Sequence, residues 1–154
     1  MERGLCVKGG NMIHNFMKLE ISAVSVNESF ARVTVAAFAA QLDPTVDEIT
    51  ELKTAVSEAV TNVVVHAYPD KIGNIAIKVS TENNKIFISI SDNGVGIQDI
   101  ERALTPFYTS KPDEERSGMG FTVMEGFMDK LEVVCNKGVT VNMYKSLDQE
   151  VVGL

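Results

Sequence analysis

Three short stretches of this sequence carry residue types that could do chemistry together. Glu58 and Asn62 are four residues apart in a segment of helical character, so both side chains leave the same helix face, one turn apart. A carboxylate and a carboxamide stacked in this way can hold a divalent metal, a polarised water and a phosphate between them. An isolated Glu-x-x-x-Asn is usually no more than a solvated polar stripe, so its meaning depends on two glycine-rich stretches, Asp92-Asn-Gly94-Val-Gly96 and Gly118-Met-Gly120.

The first glycine-rich stretch follows a predicted strand, but no second strand follows it. A hairpin turn is therefore excluded, and a dinucleotide-binding GxGxxG is excluded as well, because Asp99 stands at its third glycine position. No GxxxxGK[ST] sequence occurs, so a P-loop is absent. A role around ATP fits better: Asp92 would accept a hydrogen bond from the adenine amino group, and Gly94 and Gly96 would let the backbone approach the base closely.

The remaining residues suit the phosphate end of the same nucleotide. Asn62 would bind Mg²⁺, and Glu58 would take a proton from an attacking hydroxyl. A helix that begins at Gly118-Met-Gly120 presents free N–H groups and the positive end of its dipole to phosphates. The long connection before it, residues 97–117, contains the cations Lys111 and Arg116 and is typical of either a functional lid or disorder.

The elements that must position these residues follow from hydrophobic periodicity. The pattern predicts a strand at 16–24, helices at 28–42, 45–67 and 121–128, and two hairpins formed by 74–81 with 85–91 and by 131–135 with 139–144. Ser25 or Asn27 could cap the first helix. Its apolar stripe contains Phe30, Val33, Ala37, Phe38 and Leu42, and that of the second contains Ile49, Leu52, Val56, Ala59, Val60 and Val63. Arg32 falls off the first stripe, so we expect an exposed side chain that is either a solvated charge or a partner contact, and we expect His66 near the core boundary.

Length and composition limit the class of protein. The 154 residues are enough for one domain, which we place at 16–146 between an N-terminal extension, 1–15, and a flexible tail, 147–154. A net charge of −7 argues against nucleic acid as the main ligand. Two cysteines without a CxxC pair favour a reduced, cytoplasmic location, and no apolar run is long enough for a membrane span.

The extension itself has two interpretations. Lys8-Gly9-Gly10 precedes Met12, and the codons of such a run can spell a purine-rich ribosome-binding site. Translation would then begin at Met12 or Met17, and residues 1–11 would not be native. The alternative is an ordinary flexible tail.

The order of these motifs resembles that of the GHKL ATPase superfamily, which includes gyrase-, chaperone-, histidine kinase- and mismatch repair-type proteins. Glu58–Asn62 is similar to its N box, Asp92–Gly96 to its first glycine box, Gly118–Gly120 to its second, and Gly138 with Thr140 to its last. Within the superfamily, the chain is most similar to the anti-sigma factor serine kinases of the sporulation, anti-sigma F type. The resemblance covers about residues 17–144 and includes the stretches NESFARVTVAAFAAQLDPT, SEAVTN, TSKP and ERSGMGF.

The resemblance implies an α+β two-layer sandwich, the Bergerat ATP-binding fold, with helices on one face of a mixed, mostly antiparallel sheet. It implies ATP or ADP and Mg²⁺ as cofactors, with Glu58 as general base, Asn62 as metal ligand and Asp92 as adenine reader. The other expected nucleotide-binding residues are Gly94, Gly96, Thr109, Ser110, Lys111, Arg116, Ser117, Gly118, Met119, Gly120, Phe121 and Thr140.

The function implied by the resemblance is that of an anti-sigma factor with protein-serine kinase activity. It would bind and inhibit a sporulation sigma factor and phosphorylate an anti-anti-sigma protein, acting as a homodimer. Two alternatives remain at this stage: a nucleotide-gated binding module without turnover, and a histidine-kinase catalytic domain. Glu58 argues against the first, because binding alone needs no base. The position of the only histidines, His14 and His66, argues against the second, because neither lies on a separate helical hairpin.

Overall fold

The structure is a computed structural model, and it describes residues 14–98, 104 and 120–147. Two of the elements are extended by short turns: a 3₁₀ turn, Ala40–Leu42, follows the first helix, and a π-helical turn, Val63–Ala67, follows the second. The described elements in chain order are β1 (His14–Ser22), α1 (Val26–Ala39), α2 (Val46–Asn62), β2 (Asn74–Glu82), β3 (Lys85–Asp92), α3 (Gly120–Phe127), β4 (Lys130–Cys135) and β5 (Val139–Ser146).

The five strands form one sheet in the order β1-β2-β3-β5-β4. Each pairing between described strands is antiparallel, so the parallel component of the predicted mixed sheet is not present in this part of the chain. The register pairs Ile75 with Asp92 and Ser91 with Thr140. Both predicted hairpins are confirmed, and the pairing brings the end of β3 beside the turn between β4 and β5.

The core lies between one face of this sheet and the three described helices, which confirms the two-layer fold class. Alternate residues of the strands point into it, as period-two side-chain geometry requires. The fully buried strand residues are Ile75, Ile77, Val79, Ile86, Ile88, Ile90 and Met143. Helix α2 is the central helix of the layer, because both α1 and α3 pack against it.

Helix α2 begins at a capping box. The Thr45 hydroxyl accepts a hydrogen bond from the Glu48 N–H (3.1 Å), and the Glu48 carboxylate accepts one from the Thr45 N–H (2.9 Å). Two N–H groups that the helix cannot satisfy itself are satisfied in this way. The predicted apolar stripe is confirmed: Leu52, Val56, Ala59, Val60 and Val63 are buried, and Ile49 packs against the core.

For helix α1 and the turn after it, the predicted apolar face is confirmed at Phe38 and Leu42, which pack against the core, but it is wrong at Phe30, Val33 and Ala37. The predicted side-chain cap is also wrong. The buried residues are Ala31, Val35 and Ala39, whereas Phe30 and Val33 are 52% and 53% exposed. Small side chains on the inner face let α1 approach α2 closely, and Phe30 and Val33 are left outside. Ser25 makes no side-chain cap, and Asn27 Nδ2 donates instead to the Ser22 carbonyl (2.9 Å).

Strand β1 begins at His14, two residues before the predicted strand, and α3 begins at Gly120, one residue before the predicted helix. Of the predicted long connection, 97–117, only residues 97, 98 and 104 lie within the described part of the chain. None of the described helices is long and apolar enough to cross a membrane.

Candidate functional site

The side chains of Glu58 and Asn62 converge on the first residue of α3. A methyl group placed on Gly120 would lie 3.2 Å from Glu58 Oε2 and 3.4 Å from both Oδ1 and Nδ2 of Asn62. Either orientation of the carboxamide therefore presents its oxygen at the same distance from this point. The structure thus brings the predicted pair, Glu58 and Asn62, to the start of the predicted phosphate-binding helix, where Gly120 has no side chain.

Asp92 ends strand β3 and is 8% exposed. Its Oδ1 accepts hydrogen bonds from the Gly94 N–H (2.8 Å) and the Val139 N–H (3.3 Å). Burial raises the pKa of the Asp92 carboxyl, and the two backbone hydrogen bonds oppose that rise. Since both bonds end on Oδ1, the orientation of the carboxylate is fixed while Oδ2 takes part in neither bond.

Two glycines allow the backbone to close around Asp92. A methyl group on Gly138 would lie 2.1 Å from the Asp92 carbonyl oxygen and 2.7 Å from Asp92 Oδ1. One on Gly94 would lie 2.1 Å from the Ala67 carbonyl oxygen. Neither position can hold a side chain without movement of the backbone, so these glycines are required for close approach and not merely for a flexible turn.

The π-helical turn at the end of α2 provides the acceptor on which the first glycine turn docks. The last carbonyls of a helix have no partner within it. Here the Ala67 carbonyl accepts a hydrogen bond from the Val95 N–H (2.9 Å). Turns of this kind are frequent at functional sites, because they redirect the groups that follow. His66 lies in this turn and is half-buried, in agreement with the expected boundary position.

Sequence reasoning missed two side chains that hold the same turn. The Tyr68 hydroxyl accepts a hydrogen bond from the Asn93 N–H (2.9 Å), and the Cys135 thiol accepts one from the Ile97 N–H (3.2 Å). These partners are 25 and 38 residues apart in sequence, so no local pattern marks them. The local signal in this turn is Gly96, which lies beside Cys135 and has a φ of +75°, a conformation that favours glycine.

The structure does not bring the Thr140 side chain to the Asp92 side of the sheet. Thr140 pairs with Ser91, and paired residues share a face, whereas Asp92 lies on the opposite, inward face. Its neighbour Val139 packs against the core and supplies the N–H that reaches Asp92. Thr140 is therefore one residue away from Val139, the position whose side chain lies on the Asp92 side of the sheet.

The other predicted site residues are placed as follows. Phe121 is half-buried on α3 and packs against the core. Arg32 is less exposed than expected: its side chain is 38% exposed and ion-pairs with Glu28 at 3.1 Å. The predicted residues that lie outside the described part of the chain are Thr109, Ser110, Lys111, Arg116, Ser117, Gly118 and Met119.

The donor set at Gly120 fits Mg²⁺. Carboxylate and carboxamide oxygens are the ligands that this ion prefers, and it usually keeps most of its positions for phosphate and water. Within the described ranges, no group of three or more His, Cys, Asp and Glu side chains could hold a metal.

Comparison with known proteins places this arrangement among nucleotide-binding domains. The family described as "Histidine kinase-like ATPase domain" matches residues 22–145. The anti-sigma F factor of Clostridium kluyveri is 55% identical over 136 residues, which cover 87% of this chain and 96% of that protein. The anti-sigma F factor of Geobacillus stearothermophilus is 56% identical over 137 residues, covering 87% and 94%.

Two solved structures share the fold. The RsbU and RsbW domains of Rv1364c from Mycobacterium tuberculosis superpose with a TM-score of 0.63 at 15% identity, over 86% of this chain and 32% of that longer chain. The histidine kinase domain of the blue-light activated histidine kinase EL346 from Erythrobacter litoralis gives a TM-score of 0.52 at 18% identity, over 78% and 61%. At these identities the likeness concerns the fold alone.

Proposed function

This chain belongs to the histidine kinase-like ATPase domain family, and we propose that it is an anti-sigma factor that is also a Mg-ATP-dependent protein-serine kinase. It would bind and inhibit a sporulation sigma factor and transfer the γ-phosphoryl group of ATP to a serine of an anti-anti-sigma protein. The convergence of Glu58 and Asn62 on Gly120 carries the proposal. Relatives named anti-sigma F factor, more than half identical over most of the chain, support the choice of partners.

Asp92 is suited to recognise adenine. Its Oδ1 is occupied by two backbone N–H groups, so the carboxylate cannot rotate freely and Oδ2 can accept a hydrogen bond from the exocyclic amino group. Gly94 lets its own backbone approach the Ala67 carbonyl closely, and Gly138 does the same at Asp92. A guanine would present an oxygen to the same carboxylate, so the site favours adenine.

Glu58 and Asn62 are suited to the phosphate end. The absence of a side chain at Gly120 lets phosphates approach both residues and the N-terminus of α3, whose dipole favours negative charge. Asn62 would hold Mg²⁺ through its carboxamide oxygen, and the ion would supply charge neutralisation at the phosphates. Glu58 would accept the proton of the serine hydroxyl as its oxygen bonds to the γ-phosphorus and ADP leaves.

The role of Glu58 separates the kinase from a nucleotide-gated binding module. In the kinase, Glu58→Gln should leave the Kd for ATP nearly unchanged and lower the phosphorylation rate by about 10²- to 10⁴-fold, the usual contribution of a general base. Glu125→Gln is a matched control, since Glu125 is an exposed glutamate on α3. Equal phosphorylation by Glu58→Gln and wild type would remove Glu58 from this role.

Helix α1 presents an exposed apolar surface, which we propose as the contact with the sigma factor. Val26, Phe30 and Val33 are exposed to 78%, 52% and 53%, and Arg32 lies beside them with its pairing partner Glu28. An apolar patch with a cation is typical of a protein-binding surface. Phe30→Ser and Arg32→Ala should each weaken sigma-factor binding, while the Kd for ATP stays constant.

Homodimer formation, a further part of the proposal, is checked by sedimentation equilibrium of the wild type.

The decisive experiment is intact-mass spectrometry of the anti-anti-sigma protein after incubation with this chain and Mg-ATP. One added phosphate that survives acid is expected, because phosphoserine is acid-stable and phosphohistidine is not. Asp92→Asn serves as the control for the nucleotide site and, at an ATP concentration near the wild-type Kd, should give much less added phosphate than the wild type. Wild-type ATP binding without transfer would favour the binding module, and an acid-labile product would favour a histidine kinase.

A further inference from the structure

The turn that follows Asp92 is held at successive backbone positions by different elements of the fold. The Asn93 N–H donates to the Tyr68 hydroxyl, the Gly94 N–H to Asp92 Oδ1, the Val95 N–H to the Ala67 carbonyl and the Ile97 N–H to the Cys135 thiol. Four of the five N–H groups between 93 and 97 therefore have a named acceptor. A turn held in this way has its shape fixed before any ligand arrives.

Tyr68 is itself rigidly placed. Its hydroxyl donates to the Asn74 carbonyl (2.7 Å) while it accepts from Asn93, so both of its hydrogen-bonding functions are used. A methyl group on Gly73 would lie 2.2 Å from the Tyr68 ring carbons, so the ring lies directly against the Gly73 backbone. The Gly73 carbonyl in turn accepts a hydrogen bond from the Ala23 N–H (2.8 Å). Tyr68 thus connects the end of the π-helical turn and the start of β2 to the glycine turn through its hydrogen bonds.

Cys135 holds the other end of the turn. Its thiol accepts from the Ile97 N–H at 3.2 Å and donates to the Ile97 carbonyl at 3.4 Å. A methyl group on Gly96 would lie 2.9 Å from the sulfur, so glycine is needed for this contact as well as for the positive φ. Cys135 is the last residue of β4, and Val139, the first residue of β5 in the same hairpin, donates its N–H to Asp92. The same hairpin therefore fixes both the turn and the carboxylate.

We propose that Tyr68 and Cys135 are positioning residues for adenine recognition by Asp92. The inference rests on the proposed nucleotide site and deepens it. Together they hold the turn so that the Gly94 N–H points at Asp92 Oδ1, and that bond sets the direction of Oδ2. If either anchor is lost, the turn can tilt, the carboxylate can rotate, and the acceptor no longer meets the adenine amino group at a fixed angle.

The test compares ATP with inosine triphosphate, which carries an oxygen in place of the adenine amino group. The ratio of the two dissociation constants reports recognition by Asp92, and it is insensitive to the fraction of folded protein, which affects both nucleotides equally. Tyr68→Phe removes only the hydroxyl and keeps the ring against Gly73. Tyr144→Phe is the matched control, because the Tyr144 ring packs against Phe87 (ring centroids 4.8 Å apart) on the face of the sheet opposite to Asp92.

In Tyr68→Phe and in Cys135→Ala, the preference for ATP over inosine triphosphate should fall by about three- to tenfold, the effect of one lost neutral hydrogen bond. Cys135→Ser, which keeps a group able to donate and accept, should retain most of the preference, and Tyr144→Phe all of it. An unchanged ratio in both Tyr68→Phe and Cys135→Ala would overturn the proposal, even if both variants were less stable. A wild-type protein that binds neither nucleotide would instead overturn the proposed nucleotide site.

Discussion

Replacement of Asp92 by asparagine should weaken ATP binding without lowering the stability of the fold at neutral pH. The asparagine Oδ1 can accept from the Gly94 and Val139 N–H groups as the carboxylate does, but its Nδ2 then takes the place of Oδ2. A donor faces the adenine amino group where an acceptor is required. Loss of a hydrogen bond to a charged group costs about 1.5–3 kcal/mol, so the Kd for ATP should rise at least tenfold, and by up to about 150-fold.

The same substitution should not destabilise the protein at neutral pH. Burial raises the pKa of Asp92 above its ordinary value of 3.8, so the folded state holds the proton more tightly than the unfolded chain does. The favourable contribution of this carboxyl is complete below its unfolded pKa and is lost as the pH rises through the raised folded pKa. Asp92→Asn should therefore be as stable as the wild type or more stable near pH 7, and this difference should shrink on acidification.

The assay is urea unfolding of both proteins between pH 4 and 8, together with calorimetric titration of ATP at pH 7.5. Asp129→Asn is a matched control, because Asp129 is an exposed aspartate that also accepts a backbone hydrogen bond, from the Ser146 N–H (2.7 Å). Its effect on ATP binding should be small. Undiminished ATP affinity in Asp92→Asn, or a stability deficit that is largest at neutral pH, would refute the reasoning.

Three further substitutions and one control test the stability of the fold by urea unfolding. Gly138→Ala should cost about 1–3 kcal/mol, because its methyl group would lie 2.1 Å from the Asp92 carbonyl oxygen; Gly126→Ala, with no atom within 4 Å, should cost nothing, and equal effects would contradict the argument. Lys145→Met should cost about 1–3 kcal/mol, because Lys145 Nζ donates to the carbonyl at the end of α3 (2.6 Å) and pairs with a carboxylate on α2 (2.8 Å). Thr45→Ala should cost about 1 kcal/mol through loss of the capping box, and a cost near zero would mean that the box does not stabilise α2.

Local patterns predicted the parts of the fold that depend on short-range geometry. Strands β2 and β3 alternate strictly, and the apolar stripe of α2 follows from helical spacing. In helix α1, helical spacing did not identify the buried face correctly, because apolar residues cover much of the circumference of this helix. The pattern could not tell whether the face with Phe30 or the face with Ala31 and Val35 packs on α2, and close helix approach selects the smaller residues.

The candidate site was predictable where its residues form compact motifs. Glu58, Asn62 and Gly120 were identified from spacing and composition, and the structure brings them together. Thr140 was misplaced by one residue, and a shift of one moves a strand side chain to the other face of the sheet. The contacts of Tyr68 and Cys135 depend on the register of the whole sheet, which local sequence does not determine.

The anchoring of the glycine turn has a consequence for how this protein can change during evolution. Asn93 and Val95 contribute their backbone N–H groups to the anchors, and both side chains are exposed, that of Val95 to 67%. Mutational drift at these two positions should be nearly neutral, whereas Gly94 and Gly138 have no room for any side chain. A homologue could therefore differ at Asn93 and Val95 and keep the same backbone around Asp92, provided that it keeps both glycines.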